Sequence, residues 1–328
     1  MKRQLRNRFK IACVIASTVF AISAAHAQSY PSRPITMVVP FPAGSATDTV
    51  ARMIGAKMSD TLRQPVIMEN VPGASGTIAA ARVARAAADG HTLLIHTTIA
   101  LSAALYKNLS YDTATAFEPI GLVNTGPYVF TANPAFPAKD AKELFANLKS
   151  NGSKITLANA GVGTGSHLCA IMLSQTLGVE PNLVPYKSTN LALQDVIAGH
   201  VDMLCDQTTN AFTHLTAKRI KAYAITSPQR NPSFPDIPTT RELGIPQVDV
   251  AVWHGVYAPK GTSPAIVEQL NGALQVALAD TGVQKRLADM GTYLFPADQR
   301  TPAAHAKHLG DELVRFREVV RKANIQID

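Results

Sequence analysis

Short apolar runs alternate along this chain with longer stretches in which apolar positions recur at helical spacing. The runs at 35–39, 65–69, 92–95, 123–131, 154–158, 182–184, 203–205, 222–226 and 253–258 predict strands. The helical spacing predicts helices over 47–62, 77–87, 141–147, 167–177, 191–198, 264–279 and 302–323. Alternation of this kind argues for α/β layers with largely parallel sheets. The absence of a fixed-period repeat removes solenoids and propellers. There is also no Gly/Ser linker to separate independent domains, so two lobes would be joined by strands near 123–128 and 250–253.

Two strand–loop–helix junctions carry the candidate chemistry. Residues 40–48 read Pro-Phe-Pro-Ala-Gly-Ser-Ala-Thr-Asp, and residues 159–166 read Asn-Ala-Gly-Val-Gly-Thr-Gly-Ser. The first N–H groups of a helix have no intrahelical acceptor, and the helix dipole adds positive potential there, so each junction is a natural anion site. Gly44 allows a tight turn, Ser45 and Thr47 add hydroxyls, and Asp48 can cap the helix. The spacing Gly161-x-Gly163-x-Gly165 is not the dinucleotide fingerprint, and no phosphate-loop signature occurs. Two such loops about 120 residues apart suggest two α/β lobes facing one ligand.

The leader changes the charge balance. Lys2, Arg3, Arg6, Arg8 and Lys10 precede an apolar stretch, 11–25, and Ala25-His26-Ala27 supplies a small-x-small cleavage pattern. Residues 1–27 therefore read as a secretory signal peptide. Of the whole-chain charge of +8, those five basic residues account for five, leaving +3. That balance, without a basic stripe interleaved with aromatics, does not argue for nucleic acid. Cys169 and Cys205 remain after processing, either as a disulfide or as two small buried hydrophobes. Neither a C-x-x-C nor an H-E-x-x-H is present, so no metal is expected, and no cofactor either.

The run from Tyr30 to Gly44, continuing to Asp48, resembles the opening of Bug-type periplasmic solute receptors of tripartite tricarboxylate transporters. Further elements follow in that family's order: Pro72-Gly-Ala-Ser-Gly76, Asp89-Gly-His-Thr-Leu93, Val184-Pro-Tyr-Lys187, Gly199-His-Val-Asp202 and Trp253-x-Gly255. The ordered set spans essentially the whole mature chain. The resemblance implies a two-lobed Venus flytrap with residues 28–126 plus 251–328 in lobe 1 and 127–250 in lobe 2. It implies capture of a small carboxylate, delivery to the membrane subunits of such a transporter, and a monomeric receptor without cofactor. Carried over by position, the ligand-binding residues are Phe41, Ala43, Gly44, Ser45, Ala46, Thr47 and Asp48 from the first loop. The second loop contributes Gly163, Thr164, Gly165, Ser166 and His167, and Thr97, Thr98 and Asp206 line the cleft. The two carboxylates, Asp48 and Asp206, would repel a bare carboxylate at close range, and so are expected to cap, to orient water, or to accept from a ligand hydroxyl or amine.

An enzyme is the rival from another class, with Ser166 and His167 as its imagined core. Adjacent residues on a helix do not face each other, and no G-x-S-x-G elbow occurs. A ligand sensor with a signalling partner shares the expected fold and differs only in what it contacts.

Overall fold

The computed structural model describes residues 30–97 and 99–322. In chain order the elements are β1 (Ile35–Val39), α1 (Ala46–Leu62), β2 (Val66–Asn70), α2 (Thr77–Ala84), β3 (Thr92–Thr97), α3 (Ile99–Leu105) and β4 (Phe117–Ala132). Next come α4 (Ala141–Asn151), β5 (Thr156–Asn159), α5 (Gly165–Leu177), β6 (Asn182–Pro185), α6 (Thr189–Ala198), β7 (Met203–Gln207), α7 (Thr208–Thr216) and β8 (Lys221–Ile225). The chain closes with β9 (Ala251–Pro259), α8 (Pro264–Ala279), α9 (Thr281–Asp289), β10 (Tyr293–Leu294) and α10 (Pro302–Lys322).

The strands run in the order β2-β1-β3-β9-β4-β7-β5-β6, with β8 and β10 also paired to β4. Parallel pairing joins β1 to β2 and β3, and β5 to β6 and β7. The spine is antiparallel: β9 against β3, and β4 against β9, β7, β8 and β10. The expectation of largely parallel sheets is thus corrected to a mixed one. Parallel neighbours need crossover helices, and βα units supply them on either side. By contrast, β4 continues from one part of the sheet into the other, antiparallel first to β9 and then to β7. Residues Phe117–Pro127 of β4 pair with β9, and Tyr128–Ala132 pair with β7.

The central apolar runs become strands buried on both faces, as in Met37, Val38 and Val39 of β1, while the edge strands β2 and β6 stay partly exposed. Helix α1 turns Val50, Ile54, Met58 and Leu62 inward along one stripe. Its N-cap, Ser45, accepts from the N–H of Asp48, a contact worth about 1 kcal/mol in typical helices. Cys169 on α5 and Cys205 on β7 are joined as a disulfide, their Cα atoms 6.3 Å apart. Three helices, α3, α7 and α9, lie where the periodicity predicted none.

Candidate functional site

Three helix N-termini converge on one small chamber. Its volume is about 30 Å³, far below that of the cavities beside it. Ser45, Ala46 and Thr47 at the start of α1, Thr164, Gly165 and Ser166 at the start of α5, and Ser188 and Thr189 at the start of α6 all line it. Each helix is capped by a hydroxyl that accepts from the third N–H: Ser45 from Asp48, Thr164 from His167, Ser188 from Leu191. Capping at the third position leaves the first two N–H groups of each helix without intrahelical acceptors. Phe41, Thr97, Tyr128, Ala160 and Gln207 complete the wall. Among the described residues no Lys or Arg lines the chamber, so the positive potential they set there comes from oriented dipoles.

The surroundings fix these donors in place. Asp48 is buried, and its Oδ2 accepts from the N–H of Gly44 (2.8 Å) and from Arg52 Nε (2.9 Å). Asp48 Oδ1 accepts from Asn70 Nδ2 (2.9 Å), which also donates to the carbonyl of Phe41 (2.9 Å). Burial pulls the Asp48 carboxyl up, yet the hydrogen bonds from Arg52, Gly44 and Asn70 outweigh it and hold it below the usual range. The Ser166 hydroxyl donates to the Cys205 carbonyl (2.5 Å) and accepts from the N–H of Ala160 (3.3 Å). Its proton is therefore committed, and the donors left at this helix start are backbone N–H groups. His167 Nδ1 accepts from the N–H of Gly163 (3.3 Å), so this ring braces its own loop.

Asp206 is fully buried at the end of β7, where it accepts from the N–H of Gln207 (2.8 Å) and from Asn210 Nδ2 (2.7 Å). Burial pushes its carboxyl up to about 7, against those hydrogen bonds. Two histidines lie beneath the first loop. His96 Nδ1 donates to the carbonyl of Thr97, its ring is met edge-on by Phe41, and burial lowers its pKa to about 4. His254 Nε2 lies 3.2 Å from Thr47 Oγ1, and burial, with the neighbouring His96, lowers its pKa to about 3. Both rings are neutral at physiological pH.

Two larger cavities flank the chamber. One of about 420 Å³ shares Phe41, Ala160 and Thr164 with it and is also lined by Pro40, Ala74, Ser75, Val162, Tyr186 and Lys187. The other, of about 620 Å³, lies past Gly44 and Asn190 and is lined by α6, α7 and α9. A hydrogen bond crosses at each side: Ser75 Oγ donates to the Val162 carbonyl and Asn190 Nδ2 to the Gly44 carbonyl, both at 2.6 Å.

The structure thus gathers Phe41, Ser45, Ala46, Thr47, Thr97, Thr164, Gly165 and Ser166 around one space. Ala43 is exposed, Gly44 faces the 620 Å³ cavity, and Asp48, Gly163, His167 and Asp206 stand behind the wall. Thr98 and the expected leader lie outside the described residues. Tyr128, Gln207, Ser188 and Thr189 were not singled out by sequence reasoning. Ser188, three residues before Leu191, is a capping signal that could have found the third helix start. Gly165 shows why that helix carries a glycine there. An added Cβ would overlap the Tyr128 hydroxyl and lie 2.9 Å from Cζ of its ring.

No group of His, Cys, Asp and Glu that could hold a metal occurs among the described residues. No helix among them is long and apolar enough to cross a membrane. A mixed α/β fold with a dipole-lined chamber defines a solute-binding protein of the periplasmic type. The chain belongs to the tripartite tricarboxylate transporter receptor family, whose model matches residues 50–325. This is a family of solute-binding receptors rather than enzymes. A solved structure of the periplasmic binding protein BugD is 43% identical with a TM-score of 0.86, covering 90% of this chain and 99% of that one. MatC from Rhodopseudomonas palustris, solved with bound malate, is 41% identical with a TM-score of 0.85, over 89% of this chain and 100% of its own. Rpa4515 of R. palustris, solved with adipate, is 30% identical with a TM-score of 0.86, over 91% of this chain and 99% of its own.

Proposed function

We propose that this protein captures a small carboxylate outside the cytoplasmic membrane and delivers it to the membrane subunits of a tripartite tricarboxylate transporter, acting as a monomer after loss of residues 1–27. The observation that carries the reading is the convergence of three helix starts on a cation-free chamber. A carboxylate has only acceptors, and desolvating it without donors costs several kcal/mol. The chamber offers the first N–H groups of α1, α5 and α6 together with the hydroxyls of Ser45 and Thr47. Its small volume suits a headgroup alone. The rest of the ligand extends into the 420 Å³ cavity, with which the chamber shares three wall residues. Lys187 on that wall is the cation placed to meet a second carboxylate. The malate and adipate held by two relatives support this ligand class.

Residues 28–126 plus 251–328 form one lobe in this reading and 127–250 the other. The change of partners along β4 between Pro127 and Tyr128 supports that boundary. A thermal-shift screen tests the function, because a ligand that binds the native state raises its melting temperature by mass action. Dicarboxylates are expected to raise it and their diamides to leave it unchanged. Equal shifts from acid and amide, or none from any carboxylate, would overturn the reading.

A further inference from the structure

His254 has no role in the arrangement described so far, yet its Nε2 makes a buried contact with Thr47 Oγ1 at 3.2 Å. Thr47 lines the chamber and is itself buried. The hydroxyl serves a carboxylate only if its proton points into the chamber, and that depends on which partner donates in the His254–Thr47 pair.

The surroundings decide between the two tautomers. His254 Nδ1 is buried and has no hydrogen-bond partner among the described residues. If Nδ1 carried the hydrogen, a donor would be orphaned in the interior, and Thr47 would have to turn its proton toward the ring. If Nε2 carries it, the orphan is a bare acceptor, which native interiors tolerate more readily than an unpaired N–H. Its neighbour takes the other form: His96 Nδ1 faces the carbonyl of Thr97, which only accepts, so the hydrogen of that ring lies on Nδ1. The strand register sets His254 directly opposite Thr97, so it shares the face of the sheet with that chamber-lining residue, while His96, one residue earlier, belongs to the other face.

We infer that His254 is a positioning residue: its Nε2–H donates to Thr47 Oγ1 and so turns the Thr47 proton into the chamber as a donor prepared for an anionic headgroup. The inference rests on the reading of Thr47 as a headgroup contact. It adds a source of selectivity, because a hydroxyl whose acceptor side is occupied from behind offers the ligand a hydrogen only. A carboxylate oxygen takes it, and the N–H of an amide meets a donor instead.

Nitrogen-15 NMR of the wild-type histidines, in the free protein, reads the tautomer directly. The His254 signals are expected to show hydrogen on Nε2, and hydrogen on Nδ1 would overturn the inference whether or not a ligand is added. Calorimetry with malate and adipate as probes follows the consequence. Thr47→Val and His254→Phe are each expected to weaken binding about tenfold to a hundredfold. The double variant should be no weaker than Thr47→Val alone, and His254→Gln, which restores an N–H at similar reach, should recover most of the loss. If Thr47→Val weakens binding and His254→Phe does not, the positioning role fails and the headgroup reading stands. If Thr47→Val leaves both acids unaffected, the headgroup contact at Thr47 fails, and the inference with it.

Discussion

Replacing Asp48 by Asn removes one negative charge and changes almost no volume, which makes it a sharp probe of how the first loop is held. The carboxylate accepts from the N–H of Gly44, from Arg52 and from Asn70, at 2.8, 2.9 and 2.9 Å. An amide has one oxygen for these three donors. With its NH2 in the Oδ2 position it opposes both Gly44 and Arg52. With its NH2 in the Oδ1 position it opposes Asn70, which must flip and give up the Phe41 carbonyl. Either way at least one charge-assisted bond is lost, at about 1.5–3 kcal/mol. The Arg52 partner is half exposed and screened, so weakening that pair adds no more than about 1 kcal/mol. A total of about 1.5–4 kcal/mol corresponds to a fall in melting temperature of roughly 2–6 °C for a chain of this size, at about 2.1 cal/mol/K of unfolding entropy per residue. Calorimetry should also record weaker carboxylate binding, since the turn at Gly44 loses its anchor.

The pH dependence supplies the sign. The folded pKa of Asp48 lies below its unfolded value, so its stabilisation is present above about pH 4 and is lost as pH falls through the folded value. The gap between wild type and Asp48→Asn should therefore close in acid, where the wild-type carboxyl also becomes neutral. Equal melting temperatures at pH 7, or a gap unchanged at pH 3, would refute the account.

Further outcomes follow from the same geometry. Reducing the Cys169–Cys205 bond opens a 36-residue separation, for which the loop-entropy model gives about 4 kcal/mol; a scan with and without reductant should show a lower melting temperature, and an unchanged one would count against it. Gly165→Ala drives a methyl into the Tyr128 hydroxyl and should abolish carboxylate binding in calorimetry, whereas wild-type affinity would show that α5 can retreat. Asp206, with its folded pKa raised to about 7, makes the native state less stable as pH rises from about 4 to about 7; Asp206→Asn should flatten that limb of the melting-temperature profile. Asn190→Ala removes the bond to the Gly44 carbonyl and should speed ligand release in stopped flow, with little change in capture rate.

The sequence made the first and second loops legible because each sits between a continuous apolar run and a helix with a regular stripe. Helix α3 escaped because Ile99-Ala-Leu-Ser-Ala-Ala-Leu105 is apolar almost all round and packs into the core, leaving no polar face to mark a period. Helix α7 begins Thr-Thr-Asn and has no side-chain cap, so both its propensity and its start signal are weak. At the site, residue type revealed which groups are donors, and only the fold revealed which are already engaged. Ser166 was read as a hydroxyl for the ligand, yet the Cys205 carbonyl, 39 residues away, occupies its proton. Ser188 and Thr189 enter the chamber because β5, β6 and β7 pair side by side, a tertiary fact that no local window contains.

Because no Lys or Arg among the described residues lines the chamber, its attraction for an anion acts over the length of an N–H bond and not over a Debye length. Mobile ions weaken a field that reaches through solvent; they act less on N–H groups in direct contact with the ligand. Headgroup affinity should therefore stay nearly level from dilute buffer to strong brine, while any contribution from the exposed Lys187 fades. A receptor of this build holds its ligand equally well in fresh and salty surroundings, and forgoes the accelerated encounter that a ring of cations would provide.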